Sequence, residues 1–163
     1  AYLFDLLIKL STDKLQQFIE NEIKVRFIGD KNYFPKDVRP VIEKLEDKTK
    51  HLNKLNLNLL FCYGAKSEIV QATKNLALKV KAGILDPEDI DEEKISSSLW
   101  TNGIPDPDLI IRTSKRCRLS NFLLYQAAYS EFIFLDCFWP EITETHLQTC
   151  IDEFNQVQRN FGK

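Results

Sequence analysis

The sequence contains no methionine, only five glycines and only two histidines among its 163 residues. Its four cysteines form no C-x-x-C pair and show no metal-ligand spacing with His51 or His146, so we expect buried or free thiols in a reducing cytosol. No apolar run reaches the roughly 18–20 residues that cross a bilayer. The formal net charge of −2 excludes the broad basic face of a general nucleic-acid binder, and we expect no nucleic-acid partner.

The composition is that of a globular chain, with 44% hydrophobic and 28% charged residues. A length of 163 residues can bury a sizeable core, and it predicts a single domain over residues 1–163. Residues 1–10 have the pattern of a helix interior, and the chain starts at Ala1 without a methionine. We therefore expect that the true N-terminus lies upstream of Ala1.

Helical and strand periodicities alternate along the chain. Helices are predicted at 3–19 (loosened near 11–13), from Pro35 to Leu52, at 69–80, at 122–129 and from Thr143 to Val157. Strands are predicted at 23–27, 57–61, 109–112 and 131–136, and the last is apolar enough for burial on both faces. This alternation predicts an α/β fold with a mostly parallel central sheet flanked by helices.

One stretch concentrates positive charge where a predicted strand ends. Four cations occur within seven residues (Arg112, Lys115, Arg116 and Arg118), followed by Ser120 and Asn121. In α/β proteins ligands bind where strands end and helices begin, because helix amides point outward there. Guanidinium groups, a hydroxyl and free amides at such a point suit a phosphate or diphosphate. The alternative is a solvated basic turn.

A second charged stretch carries acids at 86, 88, 89, 91, 92 and 93. Such a series could coordinate a metal ion. A solvated helix start is the favoured interpretation, because Asp86 precedes a proline and acids stabilise the positive end of a helix dipole.

Seven segments occur in a recognisable order: VRFIGD at 25–30, YG at 63–64, PDPDLIIRT at 105–113, RLSNFLL at 118–124, AYSE at 128–131, FWP at 138–140 and FG at 161–162. Together they resemble the cis-prenyltransferases of the undecaprenyl diphosphate synthase type. The resemblance covers essentially the whole chain, which corresponds to the C-terminal two-thirds of a family member.

The resemblance implies an enzyme that condenses isopentenyl diphosphate with an allylic diphosphate, such as farnesyl diphosphate, to make an undecaprenyl-type lipid carrier for the cell wall. It implies that Arg112, Arg118 and Ser120 hold the diphosphate of isopentenyl diphosphate, and that Glu131 is associated with magnesium. Arginine stays charged and binds bidentately, serine donates a hydrogen bond, and Mg²⁺ prefers carboxylates with phosphate oxygens. Alternatively, Ser120 is only a helix cap and Glu131 only a cap or an ion-pair partner.

The resemblance further implies Mg²⁺ as cofactor, a homodimer, and a cytoplasmic protein that contacts the inner membrane transiently through its lipid product. The catalytic residues are expected upstream of Ala1, so we expect the isolated chain to be inactive.

Three positions depart from the family pattern: Lys66 and Asn160 replace arginines, and Arg116 replaces an acid. These departures leave open a non-catalytic partner subunit of a prenyltransferase. An unrelated phosphate-binding α/β domain is a third hypothesis.

Overall fold

The computed structural model describes residues 2–158, without the side chains of Tyr2, Leu3 and Leu10. Asn160, which departs from the family pattern, and the FG segment at 161–162 lie outside these residues. The helices are α1 (Tyr2–Asp13), α2 (Leu15–Glu20), α3 (Arg39–Thr49), α4 (Ala65–Lys81), α5 (Glu92–Ser98) and α6 (Glu144–Gln156). The strands are β1 (Ile23–Ile28), β2 (Leu55–Leu60), β3 (Leu109–Arg112) and β4 (Glu131–Phe134).

The chain divides into two compact units, Ala1–Asn102 and Gly103–Lys163. In the first unit β1 pairs with β2, and in the second β3 pairs with β4. Both pairs are parallel, which confirms the predicted α/β fold with parallel strands flanked by helices. The prediction of one domain stays a prediction.

Alternation along β1 separates an apolar face from a polar one. Val25 and Phe27 are buried, and they join Leu7, Phe34, Val38, Ile42 and Leu45 in the core of the first unit. Lys24 and Arg26 point to the opposite face, because side chains alternate along a strand. Gly29 ends the strand with φ +145, and a Cβ there would lie 1.9 Å from the Phe61 carbonyl oxygen, so only glycine fits.

Two side chains of α3 satisfy the backbone of β1 on the edge away from β2. The Val25 amide donates to the Thr49 hydroxyl at 3.1 Å, and the Phe27 amide donates to the Glu46 carboxylate at 2.7 Å. Thr49 is fully buried. These bonds supply acceptors that a neighbouring strand would otherwise supply, so α3 closes this edge of the sheet.

The predicted start of α3 at Pro35 is wrong, because the helix begins at Arg39. The reason is a second proline. Pro40 lies in the first turn of α3, where a missing amide costs nothing. In a helix that began at Pro35 the same residue would interrupt the interior hydrogen bonds.

In the second unit, the prediction that β4 is buried on both faces is also wrong. Phe132 and Phe134 are 37% and 39% exposed, and their rings stack with centroids 6.2 Å apart. Glu131, Ile133 and Leu135, on the other side, are half-buried. An apolar run therefore predicted the strand correctly but not the covering of its second face.

The predicted helix at 122–129 is the largest error. Residues 120–129 form turns and bends, and Ser120, Asn121 and Leu123 have positive φ angles of 50, 65 and 43. Two of the apolar side chains on the predicted helix, Leu124 and Tyr129, are 39% and 62% exposed, whereas Ala127 is 7% exposed. Helices in proteins depend mainly on the burial of such a face.

The acidic stretch confirms the helix-start interpretation. Asp86 accepts a hydrogen bond from the Glu88 amide, and Asp91 accepts one from the Lys94 amide at the start of α5. The Lys94 amide lowers the pKa of Asp91, because it stabilises the carboxylate. Thr143 caps α6 as predicted. Among the described helices, none is long and apolar enough to cross a membrane.

Candidate functional site

The basic turn begins at the carboxyl end of β3 and is attached to the segment after β4. The Ser114 amide donates to the Cys137 carbonyl at 2.8 Å, and the Lys115 amide donates to the Leu135 carbonyl at 3.4 Å. The Lys115 ammonium pairs with Asp136 at 3.1 Å. Because both groups of that ion pair are largely exposed, the pair itself contributes little stability. The backbone bonds therefore fix the start of the turn.

The structure brings together the three residues that were predicted to bind diphosphate. Arg112 Nη1 donates to the Arg118 carbonyl oxygen and, at 3.0 Å, to Ser120 Oγ. The turn from 113 to 120 thus closes back onto the end of β3. The Arg118 guanidinium is exposed and has no hydrogen bond or ion pair within residues 2–158. It is therefore available to an anion.

The backbone of this turn adopts an uncommon conformation. Ser114, Lys115, Ser120, Asn121 and Leu123 all have positive φ angles. The left-handed conformation costs roughly 1–2 kcal/mol for a residue other than glycine. Such conformations concentrate at binding and catalytic sites. The expected helix N-terminus is absent from residues 120–129, so an anion here would be held by side chains and turn amides instead of a helix dipole.

Glu131 is not brought into this group. It begins β4 and pairs with Leu109, whereas Arg112 pairs with Phe134 at the other end of the same two strands. Three residues along a strand correspond to about 10 Å. Glu131 forms no ion pair with another described residue.

The described residues do not by themselves form a magnesium site. Within residues 2–158 there is no group of three or more His, Cys, Asp or Glu side chains that could hold a metal ion. A single carboxylate is a weak site for Mg²⁺, which also needs phosphate oxygens and water. The magnesium role of Glu131 stays a prediction.

Sequence reasoning missed Glu68, which is fully buried on α4. Its carboxylate accepts hydrogen bonds from the Tyr63 hydroxyl at 2.5 Å, the Thr101 amide at 3.1 Å and the Thr101 hydroxyl at 3.2 Å. The Trp100 ring also meets the edge of Tyr63, with centroids 6.1 Å apart. A signal was present, because Glu68 shares the helical spacing of the buried residues Ala65, Ala72 and Leu76.

The first unit also contains an apolar hollow of about 330 Å³ between α1, α2, α3 and β2. Its lining is Leu6, Leu7, Ser11, Lys14, Phe18, Leu45, Leu57, Leu59 and Phe61. Almost all of these side chains are hydrocarbon, so the hollow suits an apolar ligand.

All four cysteines are free thiols, as predicted. Partial burial raises the pKa of the Cys62 thiol, and the nearby Asp30 carboxylate raises it further. Burial likewise raises the pKa of Cys150. Neither thiol is therefore activated as a nucleophile.

Comparison with known proteins gives consistent matches over nearly the whole chain. A family model described as "Putative undecaprenyl diphosphate synthase" matches residues 1–162. An isoprenyl transferase of Brucella suis is 47% identical over 148 residues, which cover 91% of this chain and 58% of that relative. The chain therefore spans little more than half the length of this curated relative.

Two solved structures match the fold. Lavandulyl diphosphate synthase from Lavandula x intermedia, crystallised with dimethylallyl diphosphate, gives a TM-score of 0.89 at 32% identity and covers 98% of this chain and 71% of its own. A probable undecaprenyl diphosphate synthase from Campylobacter jejuni gives a TM-score of 0.84 at 34% identity, with coverages of 99% and 74%.

Proposed function

Because the chain belongs to the undecaprenyl diphosphate synthase family, we propose that the intact protein condenses isopentenyl diphosphate with an allylic diphosphate in cis geometry. The allylic substrate is farnesyl-like, and the product is a polyprenyl diphosphate of the undecaprenyl type. The relatives whose names support this activity are isoprenyl transferases and diphosphate synthases.

The observation that carries the proposal is the contact of Arg112 with the Arg118 carbonyl and with Ser120. Arg112 uses Nη1 for these contacts, and its other N–H groups remain for phosphate oxygens. The Ser120 hydroxyl accepts from Arg112, so its own proton can be donated to a ligand. The exposed Arg118 guanidinium adds a charged fork. These groups bind and orient the diphosphate of isopentenyl diphosphate.

The apolar hollow of the first unit is the proposed site for hydrocarbon. Leu57, Leu59 and Phe61 present apolar side chains from β2 and the segment after it, and α1 and α2 supply the opposing wall. A prenyl chain has no polar group except its diphosphate, so burial in such a hollow is favourable at about 25 cal/mol per Å². We therefore assign this hollow to part of the growing chain.

Mg²⁺ is the proposed cofactor, and when bound it neutralises the departing diphosphate. Glu131 keeps its proposed magnesium role on the basis of the resemblance, although it lies at the opposite end of β3 and β4 from Arg112. The informative measurement is a Mg²⁺ titration of the Glu131→Gln enzyme. We expect a higher Mg²⁺ requirement, and an unaltered requirement would make Glu131 structural.

A homodimer is proposed through the aromatic face of the second unit. Phe132 and Phe134 form a stacked exposed pair, and Phe138 and Trp139 are 57% and 73% exposed. Exposed apolar side chains of this size are typical of interaction surfaces. Sedimentation of the wild type and of Phe134→Glu tests it, since the charge should dissociate the dimer. The amphiphilic product leads us to propose transient contact with the cytoplasmic membrane surface.

Incorporation of labelled isopentenyl diphosphate into polyprenyl product tests the proposed activity. The intact protein is incubated with Mg²⁺ and farnesyl diphosphate, and the product is extracted and sized. We expect Mg²⁺-dependent chain elongation. Absence of elongation by the pure protein, with elongation restored by a second prenyltransferase subunit, would instead establish the non-catalytic partner.

A further inference from the structure

Apart from the basic turn, a second concentration of positive charge lies in the first unit. A cavity of about 430 Å³ runs along β1, and its lining carries the cations Lys24, Arg26, Lys31 and Lys50 with a single carboxylate, Glu46. This excess is local, because the whole chain has a formal net charge of −2. We propose that this cavity binds a diphosphate-class anion, with Lys24 and Arg26 as its charged ligands.

Lys24 and Arg26 are chosen as the ligands because the other two cations of the cavity already form ion pairs. Lys31 lies 3.6 Å from the Glu46 carboxylate, and Lys50 lies 2.6 Å from Asp47, so both lysines have a counter-charge. Lys24 has no ion pair among residues 2–158. Among the same residues, Arg26 donates only to the Asn102 carbonyl, which is neutral, at 3.4 Å. Two uncompensated cations therefore remain.

The two cations are placed on one face and are partly desolvated. Lys24 and Arg26 are two residues apart on β1, so their side chains leave the same face of the strand, with Cα atoms about 7 Å apart. Both are half-buried. A charge that is partly removed from water binds an anion more strongly than an exposed one. Two linked phosphoryl groups match two such cations better than a single phosphate does.

Hydrogen bonds hold two sides of the cavity in place. Trp100 lines it, and the neighbouring residue Thr101 is held by its amide and hydroxyl on the fully buried Glu68. On the other side, Glu46 is held by the Phe27 amide at 2.7 Å. A cavity that does not reorganise on binding loses less free energy when it orders its ligand.

Trp100 also provides the probe for the test. The intact protein carries two substitutions. Trp139→Phe leaves Trp100 as the one tryptophan of residues 1–163 that contributes to the fluorescence. Arg118→Gln weakens anion binding at the basic turn. Inorganic diphosphate is titrated without Mg²⁺ at constant ionic strength, and sodium chloride is the matched salt. We expect a saturable change in Trp100 emission.

Three variants then separate a site from a general charge effect. Lys24→Gln should raise the Kd for diphosphate about tenfold or more, because a charge-assisted contact is lost. Lys24→Arg should stay within about threefold of the reference, since it retains the charge. Lys74→Gln removes the same charge from an exposed position on α4 outside the cavity, and it should leave the Kd unchanged.

The proposal is overturned if Trp100 shows no saturable response, or if Lys24→Gln and Lys74→Gln change the Kd equally. Circular dichroism of each variant ensures that the comparison is made between folded proteins. Because no prenyl substrate is used, the outcome is independent of the proposed prenyl transfer.

Discussion

The two units differ in the structure that follows one of their parallel strands, β2 in the first unit and β3 in the second. After β2, the chain passes through Tyr63 and Gly64 directly into α4, whose residues Ala72 and Leu76 are 1% and 5% exposed. After β3, the chain forms the basic turn and then, over residues 120–129, a series of turns with left-handed residues, in which Ala127 is 7% exposed and Leu124 and Tyr129 are 39% and 62% exposed. The difference shows that a helical periodicity in the sequence does not by itself decide between a helix and a series of turns. The turn that follows β3 is also the one that gathers Arg112, Arg118 and Ser120.

The largest expected effect concerns the junction between β2 and α4. Glu68→Leu would leave the Tyr63 hydroxyl and two groups of Thr101 without their buried acceptor. We expect a loss of about 3–5 kcal/mol in the free energy of unfolding. Glu68→Gln keeps one acceptor oxygen and should lose clearly less. Urea denaturation measures both, and equal losses would show that the hydrogen bonds are not the cause.

The edge of β1 gives the second prediction. Thr49→Val preserves shape but removes the acceptor of the buried Val25 amide. We expect about 1–3 kcal/mol of destabilisation, the usual cost of an unsatisfied buried donor. Thr73→Val on α4 is the matched control, because its exposed hydroxyl donates to the Ile69 carbonyl in the same helix and, within residues 2–158, to no other group. Similar losses for the two variants would refute the closure of this edge by α3.

In the second unit, Arg112→Lys tests the closure of the turn. Lysine keeps the charge but cannot present a planar fork to the Arg118 carbonyl and Ser120 together. We expect the affinity for isopentenyl diphosphate to fall about tenfold. Isothermal titration of the intact protein measures this change, and an unaltered affinity would mean that charge alone is needed.

The smallest expected effect comes from replacing a serine by glycine at two places: in the basic turn after β3 and in the first helical turn of α4. Ser114→Gly removes the strain of φ 78 and should stabilise the protein by about 0.5–1 kcal/mol. Ser67→Gly, in the first turn of α4, should destabilise it by about 0.5 kcal/mol. Thermal unfolding of the two variants shows whether each substitution raises or lowers the stability. If both raise it or both lower it, the contrast between the basic turn and the first turn of α4 is contradicted.

Sequence patterns predicted the elements that are defined by local chemistry. Alternation defined β1 and β2, Gly83 stopped α4, and Thr143 capped α6. Patterns failed at other places. The start of α3 depended on Pro40, which was a local signal that the prediction overlooked, and the helix expected after Ser120 did not form. The sequence shows Glu68 only as a charged residue among the apolar positions of α4. Its role could not be predicted, because its partner Thr101 lies 33 residues away.

The basic turn shows the same limit within one site. Arg112, Arg118 and Ser120 lie close together in sequence, and their proximity could be predicted. The resemblance gave Glu131 a separate magnesium role, which stays a prediction, and the register of β3 with β4 places it at the opposite end of the strands from Arg112. Register is a tertiary property, and the residue pattern alone did not contain it.

The central claim is that the turn after β3 binds the diphosphate of isopentenyl diphosphate, and the kinetics of Arg118→Gln in the intact protein test it most directly. Arg116→Gln is the control, since it removes another exposed arginine two residues away. We predict that Arg118→Gln lowers kcat/KM for isopentenyl diphosphate about 10²-fold, with the KM for farnesyl diphosphate unchanged and Arg116→Gln within about threefold of wild type. Equal kinetics for Arg118→Gln and wild type would contradict the account.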